Sequence, residues 1–170
     1  MNQYTQVLFK NRRPGETVLL PEYEKNGGYQ GLRAALKMSP AEVCELVKHS
    51  GLRGRGGAAF PAGIKWQTVL DTNADQKYIV CNADEGEPGT FKDRVLLNKY
   101  PGLLLEGMIA SGYAVGASEG IIYLRSDYYW MLEQLNFVVK DFYKRGFLGK
   151  SVAGITGFDF DIRIQLRAGA

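Results

Sequence analysis

Y-I-V-C-N-A-D-E-G-E-P-G-T-F-K-D, residues Tyr78 to Asp93, joins a short apolar run to a polar loop rich in carboxylates. The run Tyr78-Ile79-Val80-Cys81 is of the kind found in inner, buried parallel strands, and it delivers Asn82 at its carboxyl end. Ligands of open α/β sheets gather at such ends. Solvated surface carboxylates are the commonest fate of an acidic run, but a position straight after an inner strand favours a site. Asn82-x-Asp84-x-Gly86 also imitates the start of a calcium loop. Its sixth position is Glu87 where that loop requires glycine, and its twelfth is Asp93, so calcium is not expected.

Upstream lies a loop of opposite character. Gly51 to Lys65, G-L-R-G-R-G-G-A-A-F-P-A-G-I-K, has five glycines in fifteen positions and three fixed cations, Arg53, Arg55 and Lys65. Bare backbone N–H groups beside positive charge suit a phosphate. Gly54-x-Gly56-x-x-Ala59 formally matches the dinucleotide fingerprint, whose mechanism needs a preceding strand. Here a helix precedes it: Ser39-Pro40-Ala41-Glu42 is a capping box, and Val43, Leu46 and Val47 stripe a helix from Pro40 to His49 that Gly51 ends. A merely flexible loop would carry serine and asparagine; Phe60-Pro61 is instead a stiff aromatic step, which favours a structured anion-binding loop. Together the two loops are suited to hold both ends of one nucleotide.

The remaining chain supplies the frame. Met1 to Gly28 has no sustained period, and Pro14, Pro21 and Gly27-Gly28 predict an extended arm. Tyr29 to Lys37 reads as a short helix, and Ile64 to Leu70 starts another beside the glycine loop, whose dipole would favour an anion. Lys92 to Asn98 makes a turn or two before Tyr100-Pro101. Gly102 to Val115 is apolar nearly all round, as a buried helix is. Gly120 to Arg125 is a second buried strand, and Tyr128 to Arg145 an amphipathic helix stopped by Gly146. Phe158 to Leu166 alternates apolar and polar without a fault, a strand with one wet face that is either parallel or an antiparallel edge. Strand–helix–strand–helix–strand order makes the fold class α/β, with a parallel, right-handed first crossover. Residues 1–50 form an N-terminal arm with helices, and 51–170 an α/β domain.

Composition narrows the function. With 170 residues, 45% hydrophobic and 23% charged, the chain is long enough for one domain with a core. A net charge of +3, scattered apart from the loop, implies no nucleic-acid partner. Two cysteines, Cys44 and Cys81, and one histidine, His49, are too few for a zinc or iron–sulfur site. No apolar run reaches the ~20 residues of a membrane span, so a cytoplasmic, reducing setting is expected. The end at R-A-G-A, directly after a strand, suggests a fragment.

Three segments carry a resemblance: S-G-L-R-G-R-G-G-A-A-F-P-A-G-I-K-W at 50 to 66, C-N-A-D-E-G-E-P-G-T-F-K-D-R at 81 to 94, and L-L-E-G-M at 104 to 108. From about Tyr29 onward the chain resembles the family of flavin-binding, NADH-oxidising subunits of respiratory complex I (NADH-quinone oxidoreductase), and the related diaphorase subunits of NAD-linked hydrogenases and formate dehydrogenases. The resemblance implies a modified Rossmann-like FMN domain in which FMN takes a hydride from NADH and passes electrons to iron–sulfur clusters toward quinone. It implies that Gly54, Arg55, Gly56, Gly57 and Lys65 surround the FMN phosphate and ribityl chain, and that Asn82, Asp84 and Glu85 bind the flavin. Phe60 would stack on NADH and Glu87 contact its nicotinamide ribose or amide. No protein acid or base is required, since hydride transfer depends on positioning and on the cofactor's own electronics. Partners implied are a thioredoxin-like [2Fe–2S] subunit and an iron–sulfur subunit, in the peripheral arm of a membrane-associated complex or in a soluble one. A Y-I-C-G-E-E-T segment and a [4Fe–4S] motif follow in the family and are missing here, so weak FMN binding is the expectation; a non-catalytic assembly module is the contrasting reading. Ala59 stands where the family usually has glycine.

Overall fold

The computed structural model describes Val7, Leu8, residues 16–55 and residues 57–167. Helices α1 (Leu20–Lys25), α2 (Gln30–Ala35), α3 (Pro40–His49) and α4 (Ala62–Asp71) lead into strand β1 (Tyr78–Ala83). Helices α5 (Lys92–Lys99) and α6 (Pro101–Val115) carry the chain to β2 (Glu119–Arg125). A 3₁₀ segment (Ser126–Met131) and α7 (Leu132–Lys144) then lead to β3 (Asp161–Arg167). The strands form one sheet in the order β1-β2-β3, and both pairings are parallel. The α/β class expected from the alternation of elements is the class observed.

Helix α6 is the centre of the packing. It touches α2, α3, α4 and α5 as well as β1 and β2. Leu105, Met108 and Ile109 of α6, Ile122 and Leu124 of β2, and Phe142 of α7 share one buried cluster. Leu20, Tyr29 and Leu32 belong to the same cluster, so the first two helices pack on this core. A glycine allows the close contact of α6 with Phe160, the residue just before β3: a Cβ on Gly112 would stand 2.5 Å from its ring.

Three expectations need correction, and one open alternative is decided. The pattern before Gly28 predicts an extended arm, yet α1 occupies Leu20–Lys25. Pro21 lies in its first turn, where a missing N–H breaks no bond, so this proline starts a helix. Pro14 lies outside the described residues. Second, β1 is an edge strand, not an inner one: Tyr78 and Val80 are 50% and 59% exposed. A four-residue apolar run does not reveal how many of its faces are covered. Third, the helix expected from Tyr128 to Arg145 is broken, because Tyr128 departs from helical geometry (φ −99°, ψ 19°) inside the 3₁₀ segment. Finally, β3 is parallel to β2, which leaves only the first of the two readings of the last strand.

Candidate functional site

The basic loop hangs between two helices pinned side by side. Ser39 caps α3 with the predicted box: its hydroxyl accepts from the Glu42 N–H, and the Glu42 carboxylate accepts from the Ser39 N–H at 2.7 Å. Gly51 turns the chain out of α3 at φ +70°, as a C′ glycine does. The neck is then closed by backbone bonds, Gly54 N–H to Phe60 O at 2.9 Å and Ala62 N–H to Leu52 O at 2.8 Å. No strand precedes the loop among the described residues, so it is held by a neck instead of a sheet.

Within the tip, Gly57 has φ +92° and nothing within 4 Å of where a Cβ would sit. The backbone there is open to close approach. Ala59 also has positive φ, +49°, without glycine's freedom. Its carbonyl accepts from Arg53 Nη1 at 3.4 Å, which ties the strained residue to the neck. Ala59→Gly is therefore expected to stabilise the chain by about 1 kcal/mol, the cost of the left-handed region less glycine's extra entropy. Thermal melting checks this, and an unchanged or lowered midpoint would show that the methyl group is not strained.

The acidic loop starts inside β1. Asn82 Oδ1 accepts from the Asp84 N–H at 3.1 Å. Glu85 then turns inward, its side chain only 1% exposed. Its carboxylate accepts from the Asp93 N–H at 2.9 Å, from Arg94 Nε at 3.0 Å and from the Tyr128 hydroxyl at 2.7 Å. Burial opposes ionisation of Glu85, but these donors outweigh it and hold its carboxyl below the usual glutamate range. Asp84 pairs with Arg167 at the end of β3, and Asp93 with Lys92 at 2.5 Å.

The two loops meet. A hollow of about 670 Å³ is bounded by Arg55 and Gly57 on one side and by Asn82, Asp84, Glu85 and Glu87 on the other. Gly54 lines an adjoining hollow of about 810 Å³, which shares Arg55 and Gly57 with the first. Phe60, 49% exposed, and Lys65, exposed on α4, line neither. Gly56 lies outside the described residues. Since Asp84, Glu85 and Asp93 are paired internally, Arg55 and Glu87 are the lining charges with no ion pair among the described residues. Among the described residues the hollow thus presents one cation and one anion without an ion pair.

Arg94, Tyr128 and Arg167 escape the sequence reading. Tyr128 is 43 residues from Glu85, and Arg167 is 83 from Asp84, separations at which no spacing rule applies. Arg94 closes the acidic segment, but nothing local marks it as a partner of Glu85.

Among the described residues no helix is long and apolar enough to cross a membrane. Residues 47–170 match the family described as the Nuo51 FMN-binding domain. The F subunit of NADH-quinone oxidoreductase of Aquifex aeolicus is 46% identical over 167 residues, covering 96% of this chain and 38% of that protein. The NAD-reducing hydrogenase HoxS subunit alpha of Cupriavidus necator is 48% identical over 139 residues, 82% of this chain and 23% of that protein. A crystal structure of an NAD⁺-reducing [NiFe]-hydrogenase in the H₂-reduced state superposes with a TM-score of 0.75 at 35% identity, covering 94% of this chain and 26% of that one. The chain spans well under half the length of these relatives. A glycine loop and a carboxylate loop around one hollow, with the sequence match over residues 47–170, make this chain a member of the Nuo51 FMN-binding domain family.

Proposed function

We propose that this chain holds FMN and NADH at the hollow between its two loops, as part of an NADH-oxidising flavoprotein. The observation that carries this reading is the convergence of Arg55 and Gly57 with Asn82, Asp84, Glu85 and Glu87, separate in sequence, on one space of about 670 Å³. That size is within the range of small-molecule clefts. The residues present fit the cofactor: the open backbone at Gly57 and the guanidinium of Arg55, without an ion pair among the described residues, suit a phosphate, and the polar groups of the acidic loop suit hydroxyls and ring nitrogens.

In this reading Gly54, Arg55, Gly56 and Gly57 bind the phosphate and ribityl end, and Lys65, which lines neither hollow, is assigned there from the family resemblance. Asn82, Asp84 and Glu85 form the flavin side, with Asp84 and Glu85 acting largely by shaping the wall, because their carboxylates already have partners. Glu87 accepts from the nicotinamide ribose or amide, and the exposed ring of Phe60 offers a face for NADH to stack on. FMN, when bound, supplies the hydride-accepting chemistry. Residues 51–170 carry these contacts and residues 1–50 support them.

Two cysteines and one histidine do not make the four-ligand set of a [4Fe–4S] cluster, so electrons leave to centres outside these residues. The proposed recipients are a thioredoxin-like [2Fe–2S] subunit and an iron–sulfur subunit of one complex, peripheral to a membrane or soluble. A diaphorase of a hydrogenase or formate dehydrogenase is the second reading, supported by the likeness to the hydrogenase subunit. The two readings share this site and differ in partner.

Flavin content of the purified protein, FMN titration and NADH–ferricyanide reduction test the proposal. Arg55→Ala is expected to weaken FMN at least tenfold, since a charge-assisted bond to phosphate contributes about 1.5–3 kcal/mol. Glu87→Gln is expected to raise the KM for NADH while leaving FMN affinity alone. A protein that takes up no FMN, or an Arg55→Ala variant that binds it as tightly as the parent, would refute the assignment and favour a non-catalytic module.

A further inference from the structure

We propose that Arg94 and Tyr128 are positioning residues that hold the acidic loop in its ligand-binding shape through the buried carboxylate of Glu85. The inference rests on the nucleotide reading of the hollow. Between Glu85 and Asp93 the loop has few restraints of its own: Thr90 bonds back to the Glu87 carbonyl through its N–H at 3.2 Å and its hydroxyl at 2.6 Å. The stronger restraints come from outside the turn. Arg94 uses two nitrogens and the face of its guanidinium. Nε donates to Glu85 Oε2 at 3.0 Å, Nη2 donates to the Thr90 carbonyl, and the guanidinium carbon lies 5.3 Å from the centre of the Tyr128 ring. One side chain on α5 therefore ties the beginning of the loop to its end.

Tyr128 completes the clamp from the sheet side. Its hydroxyl donates to the same Oε2, and the residue leaves helical geometry where it does so. Arg125, at the end of β2, donates to the Glu85 carbonyl at 3.2 Å. The clamp thus joins α5, β2 and the 3₁₀ segment at one residue, and leaves Glu87 without an ion pair among the described residues. Removing the clamp frees the Gly86–Thr90 turn to swing, and with it the wall that faces Arg55.

Geometry, not charge, is what Arg94 supplies. A lysine ammonium carries the same charge but has no planar fork to bond two acceptors while lying on an aromatic ring. Arg94→Lys is accordingly expected not to rescue. Tyr128→Phe removes one O–H and keeps the ring, so it is expected to give a milder form of the same defect.

The test measures hydrogen exchange of the two bonded amides of the loop, Thr90 and Asp93, in the flavin-free protein, then FMN affinity by fluorescence titration, with the melting temperature alongside. Expected for Arg94→Lys is exchange at least tenfold faster at those amides and an FMN Kd at least tenfold higher, while the melting temperature changes little. For Tyr128→Phe both effects should be about threefold. Exchange within twofold of the parent in both variants would overturn the proposal. So would faster exchange with unchanged FMN affinity, because the shape of the loop would then not matter to the ligand. If the parent itself takes up no FMN, the nucleotide reading fails, and the exchange rates alone decide whether the clamp exists.

Discussion

Gly63→Ala is expected to lower the stability of the chain by about 3 kcal/mol, the upper part of the usual range for overpacking. The added Cβ would stand 2.3 Å from both the Cα and the N of Lys48 and 2.6 Å from its Cβ. The nearest two of these are backbone atoms of α3, so no rotamer change relieves the clash and the helices must move apart. For a domain of this size the loss corresponds to a fall of roughly 10 °C in melting temperature. The same movement opens the neck of the basic loop, whose bonds run between residues 52–54 and 60–62, so FMN binding should fall with stability. Gly107→Ala is the control. It lies in α6 with nothing within 4 Å of the place a Cβ would take, and there alanine's better helix propensity should stabilise by about 0.5–1 kcal/mol. A Gly63→Ala chain that melts within 3 °C of the parent would show that α3 and α4 are not held this closely.

Glu106→Ala is expected to cost about 4 kcal/mol, since it strands buried donors that each cost about 1–3 kcal/mol when unpaired. Glu106 is 9% exposed on α6. Its carboxylate accepts from the Tyr29 N–H at 2.8 Å, the Leu32 N–H at 2.9 Å and the Tyr23 hydroxyl. Helix α2 has six residues, no side-chain cap of its own, and a Tyr29 N-cap at φ +65°. A helix this short is not stable alone, and amides at its N-terminal end are satisfied by a carboxylate more than seventy residues away. Glu106→Gln retains one acceptor oxygen and should lose about half as much. Urea denaturation measures both. A Glu106→Ala loss below 1 kcal/mol would show that solvent satisfies the α2 amides without it. This cap also gives a physical reason for the glutamate in L-L-E-G-M, a segment that otherwise reads as plain buried helix.

Much of the frame can be read from local pattern. The capping box at Ser39, the C′ glycine at Gly51 and the all-round apolar α6 each depend on residues a few positions apart, and each stands as expected; the alternation expected from Phe158 to Leu166 yields a strand only over Asp161–Arg167, with Leu166 36% exposed. The same locality explains the errors. Pro21 is a breaker or a starter depending on which turn it falls in, and Val80 is buried or exposed depending on whether a neighbour covers it. Neither fact is contained in the flanking residues. The candidate site divides along the same line. Both loops announce themselves by composition, but the partners that neutralise Asp84 and Glu85 lie on α5, β3 and the 3₁₀ segment.

Chain chemistry alone therefore established the alternating α/β order, the helix that replaces a strand before the glycine loop, and the opposite charge of the two loops. These follow from backbone conformation and periodicity, which are short-range. That Arg55 and Glu87 remain without an ion pair among the described residues, while Asp84 and Glu85 are spent on arginines, emerged only once folding brought residue 84 to 167 and residue 85 to 94 and 128. Coulombic and hydrogen-bond partners are chosen by distance in space, and folding sets that distance.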